Sequence, residues 1–283
     1  MQKGPSQTVA GGALAERFFR DGYLFPINVL SGDQAAAYRR ELERLEARIR
    51  GGEFGNKSQL NYPHVIFRFA NEIVRNPHIL DVVESILGPD ILVWGATVFV
   101  KEPQTPSYVS WHQDLRYWGL NDDDGQVSAW IALSEVTQAN GCMRFVPGSH
   151  RGEMVEHRDT FADDNFLTRG QEAAVEIDEN DLVQVELKPG QASFHHGKLL
   201  HASGPNQSDE RRIGLAINYV AAHVEQTVAP VDYAMLVRGT DRYGHFRHVP
   251  SPESDLSEDA MAWHSRILAA QNEAIYDGAD AAR

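Results

Sequence analysis

The sequence predicts a mainly β protein with flanking helices, and three observations carry that expectation. Between Ile91 and Ala222 the chain breaks into short runs rich in Val, Ile, Phe and Trp, punctuated by Pro147-Gly148 and Pro189-Gly190 turns, which is the texture of a sandwich or barrel. On either side of that stretch the apolar spacing is helical. No repeat, low-complexity tract or linker divides the 283 residues. One domain over 1–283 is therefore expected, with helical support over about 13–88, a β core over about 91–222 and a C-terminal helix over about 256–277.

Element by element, Ser31-Gly-Asp-Gln34 has the form of a capping box, and Tyr38, Leu42, Leu45 and Ile49 follow on one helical face, so a helix should run from about Gly32 to Arg50. Gly51 to Gly55 reads as a loop, and the aromatic but aperiodic Lys57–Ala70 stretch as that loop feeding an extended segment. Pro77 at a first-turn position, the stripe Ile79, Val82, Val83 and Ile86, and the Gly88-Pro89 stop mark a second, short helix. Strands follow at Ile91–Val100, Val127–Leu133, Met143–Val146, Leu182–Leu187, Gln191–Phe194 and Ile213–Val220. The acidic excursion from Glu153 to Asp181 is too long for an ordinary connection and is expected to be a lid or mobile surface. Met261, Leu268 and Ile275, each seven apart, set the closing helix.

Composition narrows the partners. Twenty-six Lys and Arg stand against 40 Asp and Glu, a net charge of -14, and with no basic run of five a phosphate-tracking nucleic-acid surface is not expected. The longest apolar stretches reach roughly ten residues, short of the ~20 that span a bilayer. The single cysteine, Cys142, cannot form an internal disulfide and reads as a small buried apolar residue, and Met1–Gly12 lacks the order of a signal peptide. A cytoplasmic protein is expected, with homo-oligomerisation left open. Twelve histidines are the one compositional excess, and imidazole is both the usual acid–base group and the commonest metal ligand.

Two H-x-D pairs occur. On extended chain residues i and i+2 point the same way, so His112 and Asp114 can converge on one point. They follow a β-rich run among Tyr108, Trp111, Tyr117 and Trp118, whereas His157 and Asp159 lie in the polar excursion and read as solvated surface. Of His195, His196, His201 and His223, His201 is the best third ligand because Leu199–Pro205 ends in a turn and Arg211-Arg212 opens the next strand. A hairpin there would return one arginine to its side. Two imidazoles and one carboxylate leave three positions open on a non-haem Fe(II) ion, and a guanidinium offers a fixed fork for a distal carboxylate.

Three segments give this pattern a family. Ser110–Trp118, Asn140–His150 and His201–Pro205 with Arg211–Leu215 resemble the phytanoyl-CoA dioxygenase family of Fe(II)/2-oxoglutarate-dependent oxygenases, over roughly Phe18 to Ala222. The resemblance implies a double-stranded β-helix, a jelly roll of cupin type. It implies that His112, Asp114 and His201 hold Fe(II), that Arg212 pairs with the C5 carboxylate of 2-oxoglutarate, and that Ser203, Trp130 and Lys57 contact that co-substrate. Neighbours on a strand face opposite sides, so only one of Arg211 and Arg212 can enter the barrel. The implied activity uses O2 to hydroxylate a C–H bond, with release of succinate and CO2.

Rival readings are a non-redox metal-binding cupin-like protein, either isomerase or sensor, and a halogenase on the same scaffold. Arg212 argues against the first, which has no need for a guanidinium at a co-substrate position. Asp114 argues against the second, because halogenating relatives carry Gly or Ala there and leave room for chloride. The family name suggests an acyl-CoA, yet that polyanion suits this acidic chain poorly. Tyr108, Tyr117, Trp118, Phe67 and Phe99, with Arg116, Arg68 and His64 as orienting groups, suit a small, partly apolar metabolite with one polar or anionic handle.

Overall fold

In this computed structural model, residues 7–51, 60–162, 164–167 and 170–276 are described. The chain opens with α1 (Gln7–Asp21), β1 (Tyr23–Asn28) and α2 (Gly32–Arg50), then α3 (Pro63–Ile66), α4 (Arg68–Val74) and α5 (Pro77–Leu87). The β region runs through β2 (Ile91–Lys101), β3 (Val109–His112), β4 (Gln126–Ala132), β5 (Met143–Phe145), β6 (His157–Asp159) and β7 (Gln171–Ala173). It continues with β8 (Val183–Val185), β9 (Gln191–His195), β10 (His201–Ser203), β11 (Arg212–Ala221), β12 (Tyr233–Arg238) and β13 (Arg247–His248), and α6 (Glu258–Tyr276) closes the chain.

Two sheets face each other in the expected double-stranded β-helix. One has seven strands in the order β1-β9-β4-β11-β2-β12-β13, and the other has four, β3-β10-β5-β8. Strand alternation decides what each face of the large sheet meets. Ile213, Leu215, Ile217 and Tyr219 of β11 face outward into a core with Phe18, Leu42, Ile73 and Val83 of the helices. The residues between them, Arg212, Ala216 and Asn218, face inward and line a cavity between the sheets. A second apolar cluster, with Trp130, Cys142, Met143, Phe145 and Val185, closes the space between the sheets beside that cavity.

The local signals hold where they are strong. Ser31 Oγ accepts from Gln34 N at 3.1 Å while Gln34 Oε1 accepts from Ser31 N at 2.9 Å, the two bonds of a capping box, and α2 has the expected bounds. Pro77 occupies the first turn of α5. Cys142 is buried, and burial pushes its thiol up to about 11.

Three expectations need correction. Residues 63–74 form α3 and α4 rather than an extended segment, because Pro63 starts one short helix and the single extended residue Phe67 (φ -123°, ψ 128°) starts the next. The break erases any continuous periodicity. In α6 the buried positions among the described side chains are Ala260, His264 and Ile267, with Met261 and Trp263 partly buried against the same core, so the buried face is centred beside the seven-residue stripe and Ile275 lies outside the described side chains. The Glu153–Asp181 excursion carries the β6–β7 ladder and is tied to β3: Tyr108 N donates to Asp164 O at 2.9 Å, Phe166 N to Tyr108 O at 2.9 Å, and Ser110 Oγ to Gln171 O. Among the described residues no helix is long and apolar enough to cross a membrane.

Candidate active site

The β3–β10 ladder pairs His112 directly with His201, bringing their rings to 4.0 Å between centroids. Gln113 stays extended (φ -121°, ψ 121°), so Asp114, which opens a 3-10 turn, still projects to the same side as His112. His112 Nδ1 bonds Ser110 O at 2.8 Å and His201 Nδ1 bonds Leu199 O at 2.9 Å. Each Nδ1 therefore carries the proton, and each Nε2 presents a lone pair. The Nε2 atoms lie 3.3 Å (His112) and 3.8 Å (His201) from Asp114 Oδ1, and one ligand atom from each of the three residues falls within 4.8 Å of the others. Two neutral imidazoles and one carboxylate fit a divalent transition metal, Fe(II) included.

The carboxylate itself is anchored from behind. Ser128 Oγ donates to Asp114 Oδ2 at 3.0 Å, and His195 Nε2 stands 3.5 Å from the same oxygen. Burial works to raise the Asp114 pKa, but His201, His112 and His195 outweigh it and hold the group well below the usual carboxylate range. Burial, with His112 alongside, holds His201 well below the ordinary imidazole value. The sequence left His195 and His196 undecided. His195 backs Asp114, whereas His196 turns away to Asp124 at 3.1 Å.

At the other end of the cavity lie two buried cations. Arg212 is 2% exposed, donates from Nη1 to Gly141 O at 2.5 Å, stacks 5.2 Å from the Trp130 ring and has no partner for Nε. Arg211, facing outward, bonds Glu46 of α2 and Glu102, so the register is the one expected. Lys101 pairs with Arg212 across β2–β11 and is fully buried. Its Nζ donates to Ser203 Oγ at 2.8 Å and to Gly204 O. Burial, reinforced by Arg212, pushes Lys101 down to about 6, and burial lowers Arg212 to about 10. Among the described residues neither cation has a carboxylate partner. Sequence reasoning missed Lys101, although its place at the end of an apolar strand was a signal: lysine rarely enters such a run without a task.

A cavity of about 160 Å³ joins the two ends, lined by His112, Asp114, His201, Ser203, Trp130 and Arg212 and walled by Phe99, Val109, Trp118, Met143 and Leu167. Leu167 brings the excursion to the cavity wall. The other substrate candidates fall elsewhere. His64 is 2% exposed beneath the helices, and burial pushes it down to about 3. Arg68 lies on a surface groove with Tyr38 and Asp255, Arg116 is exposed, and Phe67 packs in the core. Tyr108 spends its backbone on the excursion and does not line the cavity. Lys57 and the Tyr117 side chain lie outside the described residues.

Two inferences fail on topology. No hairpin returns Arg212 to His201, because β10 and β11 belong to facing sheets. The second H-x-D pair is not free surface: His157 is half-buried, its Nε2 accepts the Gln113 N–H at 3.0 Å, and its Nδ1 bonds Val155 O at 2.9 Å. His157 thus holds the peptide between two candidate ligands. The Gln113 side chain ties the same loop to Lys198 O and Val155 N.

Comparison with known proteins agrees with this arrangement. The chain is similar to the solved non-heme monooxygenase ThoJ, with 38% identity and a TM-score of 0.84, covering 93% of this chain and 98% of that one. A probable alpha-ketoglutarate-dependent hypophosphite dioxygenase of Stutzerimonas stutzeri is 32% identical over 56% of each chain. The peroxisomal phytanoyl-CoA dioxygenase of Homo sapiens is 29% identical over 52% of this chain and 44% of its own. The chain thus spans about half the length of these curated relatives. The phytanoyl-CoA dioxygenase (PhyH) family model matches residues 18–214, from the end of α1 to the start of β11, and the chain belongs to that family.

Proposed function

We propose that this protein is an Fe(II)- and 2-oxoglutarate-dependent dioxygenase that hydroxylates a C–H bond of a small metabolite, releasing succinate and CO2. One observation carries the reading: a single cavity has a two-imidazole, one-carboxylate cluster at one end and two buried, acid-free cations at the other. When bound, iron and 2-oxoglutarate supply the oxidising power that no side chain has.

The chain's own residues supply position. His112, Asp114 and His201 hold the metal, their orientation fixed by Ser110 O, Leu199 O and Ser128. Arg212 and Lys101 take the distal carboxylate of 2-oxoglutarate, and Ser203 Oγ, already bonded to Lys101, joins them. Trp130 keeps the Arg212 guanidinium flat. That stack is possible because Gly214 lies beneath the indole, where a Cβ would collide with the ring. Phe99, Val109, Met143 and Leu167 exclude water, which strengthens each charge contact inside. A non-redox binding module would bury two cations to no purpose, and Asp114 occupies the position a halide would need.

Anaerobic addition of Fe(II) and then 2-oxoglutarate should give a visible charge-transfer band, and admitting O2 should yield succinate. Absence of both would end this reading. A chlorinated product from turnover in high chloride would end its hydroxylation part.

A further inference from the structure

Asn218 lines the cavity on the inward face of β11, six residues from Arg212 and so about 20 Å along the strand. Its register partner across β4–β11 is Ser128, which places it beside the Asp114 end of the cavity rather than beside Arg212. Asn218 Nδ2 donates to Ser128 Oγ at 3.1 Å, and Ser128 Oγ lies 3.0 Å from Asp114 Oδ2. Proton counting fixes the direction of this chain. A carboxylate has no proton to give and a serine hydroxyl has one, so Ser128 must donate to Asp114 and accept from Asn218. The amide nitrogen is therefore committed to Ser128, and the amide oxygen points away from it.

That oxygen has no hydrogen-bond donor among the described residues. Space in front of it is kept by Gly95, its partner across β2–β11: a Cβ there would stand 3.3 Å from Asn218 Oδ1 and 3.7 Å from Tyr62 Cε1. Thr97, Trp118 and Ser128 line the same cavity, and Asp114 and His195 stand beside Ser128. Lys101 and Arg212 stand at the far end.

We propose that Asn218 is a specificity-determining residue whose Oδ1 accepts a hydrogen bond from the substrate, so that the substrate is a partly apolar molecule carrying an N–H or O–H donor, neutral or cationic, and not an anion. This rests on the 2-oxoglutarate-dependent reading and deepens it. The sequence-based expectation of a handle that is either polar or anionic narrows to the donor. A buried acceptor rejects an analogue lacking the donor more strongly than an apolar pocket rejects a wrong shape. A carboxylate would set two acceptors against each other.

The test uses benzylamine, benzyl alcohol and benzoate as probes, matched in ring and suited to the Phe99 and Trp118 walls, added anaerobically to the Fe(II)/2-oxoglutarate complex at saturating 2-oxoglutarate. The readout is the shift of the visible band. Amine and alcohol should perturb it at least tenfold more tightly than benzoate. Asn218→Leu should abolish that preference while leaving the unperturbed band and the 2-oxoglutarate requirement intact. Benzoate matching the other two, none of the three perturbing the band, or a preference that survives in Asn218→Leu overturns the proposal. A band missing from Asn218→Leu alone also overturns it, since Asn218 would then serve only to support Asp114. A wild-type protein that forms no band fails at the earlier step, as the proposed function and not as this inference.

Discussion

At the His112 end of the cavity the buried charge is one carboxylate held among hydrogen-bonding side chains, whereas at the Arg212 end it is basic side chains with no carboxylate partner among the described residues. His112 and His201 flank one carboxylate, burial holds His201 well below the ordinary imidazole value, and the second carboxylate oxygen is occupied by Ser128. Lys101 and Arg212, by contrast, are buried with carbonyls, a hydroxyl and an indole for company, and both lose proton affinity for it. The contrast teaches which end waits for a ligand. A preset donor cluster needs only a metal, while a desolvated guanidinium beside a lysine pushed toward its neutral form is a standing cost that an anion relieves.

The largest expected effect comes from the carboxylate end. His112→Ala or His201→Ala should lower iron-dependent succinate formation by more than about 100-fold, beyond the 10–100-fold typical of residues that merely orient ligands. His157→Ala, which removes only the support under Gln113, should fall within that smaller range. Full activity in either ligand variant, measured as succinate released, would reassign the metal.

A second, smaller effect comes from the Arg212 end. Arg212→Ala should cost on the order of 2–5 kcal/mol of 2-oxoglutarate binding, raising the apparent requirement tens-fold or more, with Arg212→Lys recovering only part. Arg211→Ala should leave that requirement unchanged. If titration with 2-oxoglutarate shows the reverse, β11 is out of register by one residue.

The smallest effect sharpens the contrast through pH. Lys101 titrates near about 6 in the free protein against about 10.4 for an unperturbed lysine. Its folded value is depressed, so from about pH 6 upward the folded state holds fewer protons than the unfolded one, and Lys101 penalises folding less as pH rises. Binding an anion has the opposite sign, because it favours the ammonium. The 2-oxoglutarate affinity should therefore weaken as pH rises above about 6, by up to roughly tenfold per unit, and binding should take up a proton. Lys101→Met should flatten both trends in calorimetric titrations at pH 6–8.5. An unchanged slope would show that Lys101 stays charged throughout.

Much of the fold and half of the site were legible in the sequence. The capping box at Ser31, the proline start at Pro77 and the β-branched runs of β2, β4 and β11 are local rules, and local rules survive folding. His112, Asp114, His201 and Arg212 were legible because spacing and family resemblance both marked them. His64 and Arg68 misled because aromatic neighbours in sequence do not report which cavity a side chain faces. His157 misled in the other direction, since its tie to Gln113 crosses 44 residues. Lys101 joins the site through the β2–β11 ladder and its bonds to Ser203 and Gly204, pairings no short window contains.

Arg211 carries a consequence for how the barrel is indexed. Its outward guanidinium is gripped by Glu46 of α2 at 3.0 Å and by Glu102 at 2.8 Å. Because β11 alternates, whatever fixes Arg211 outside also fixes Arg212 inside. The helical layer thus acts as a key for the strand: a slip of one residue would pull Arg211 from its acidic slot and expose the apolar set Ile213, Leu215 and Ile217 to the cavity. Grafting this β core onto another support without a matching acid on the helix would remove the α2 half of that key and leave Arg212 positioned by sheet pairing and the Glu102 contact alone.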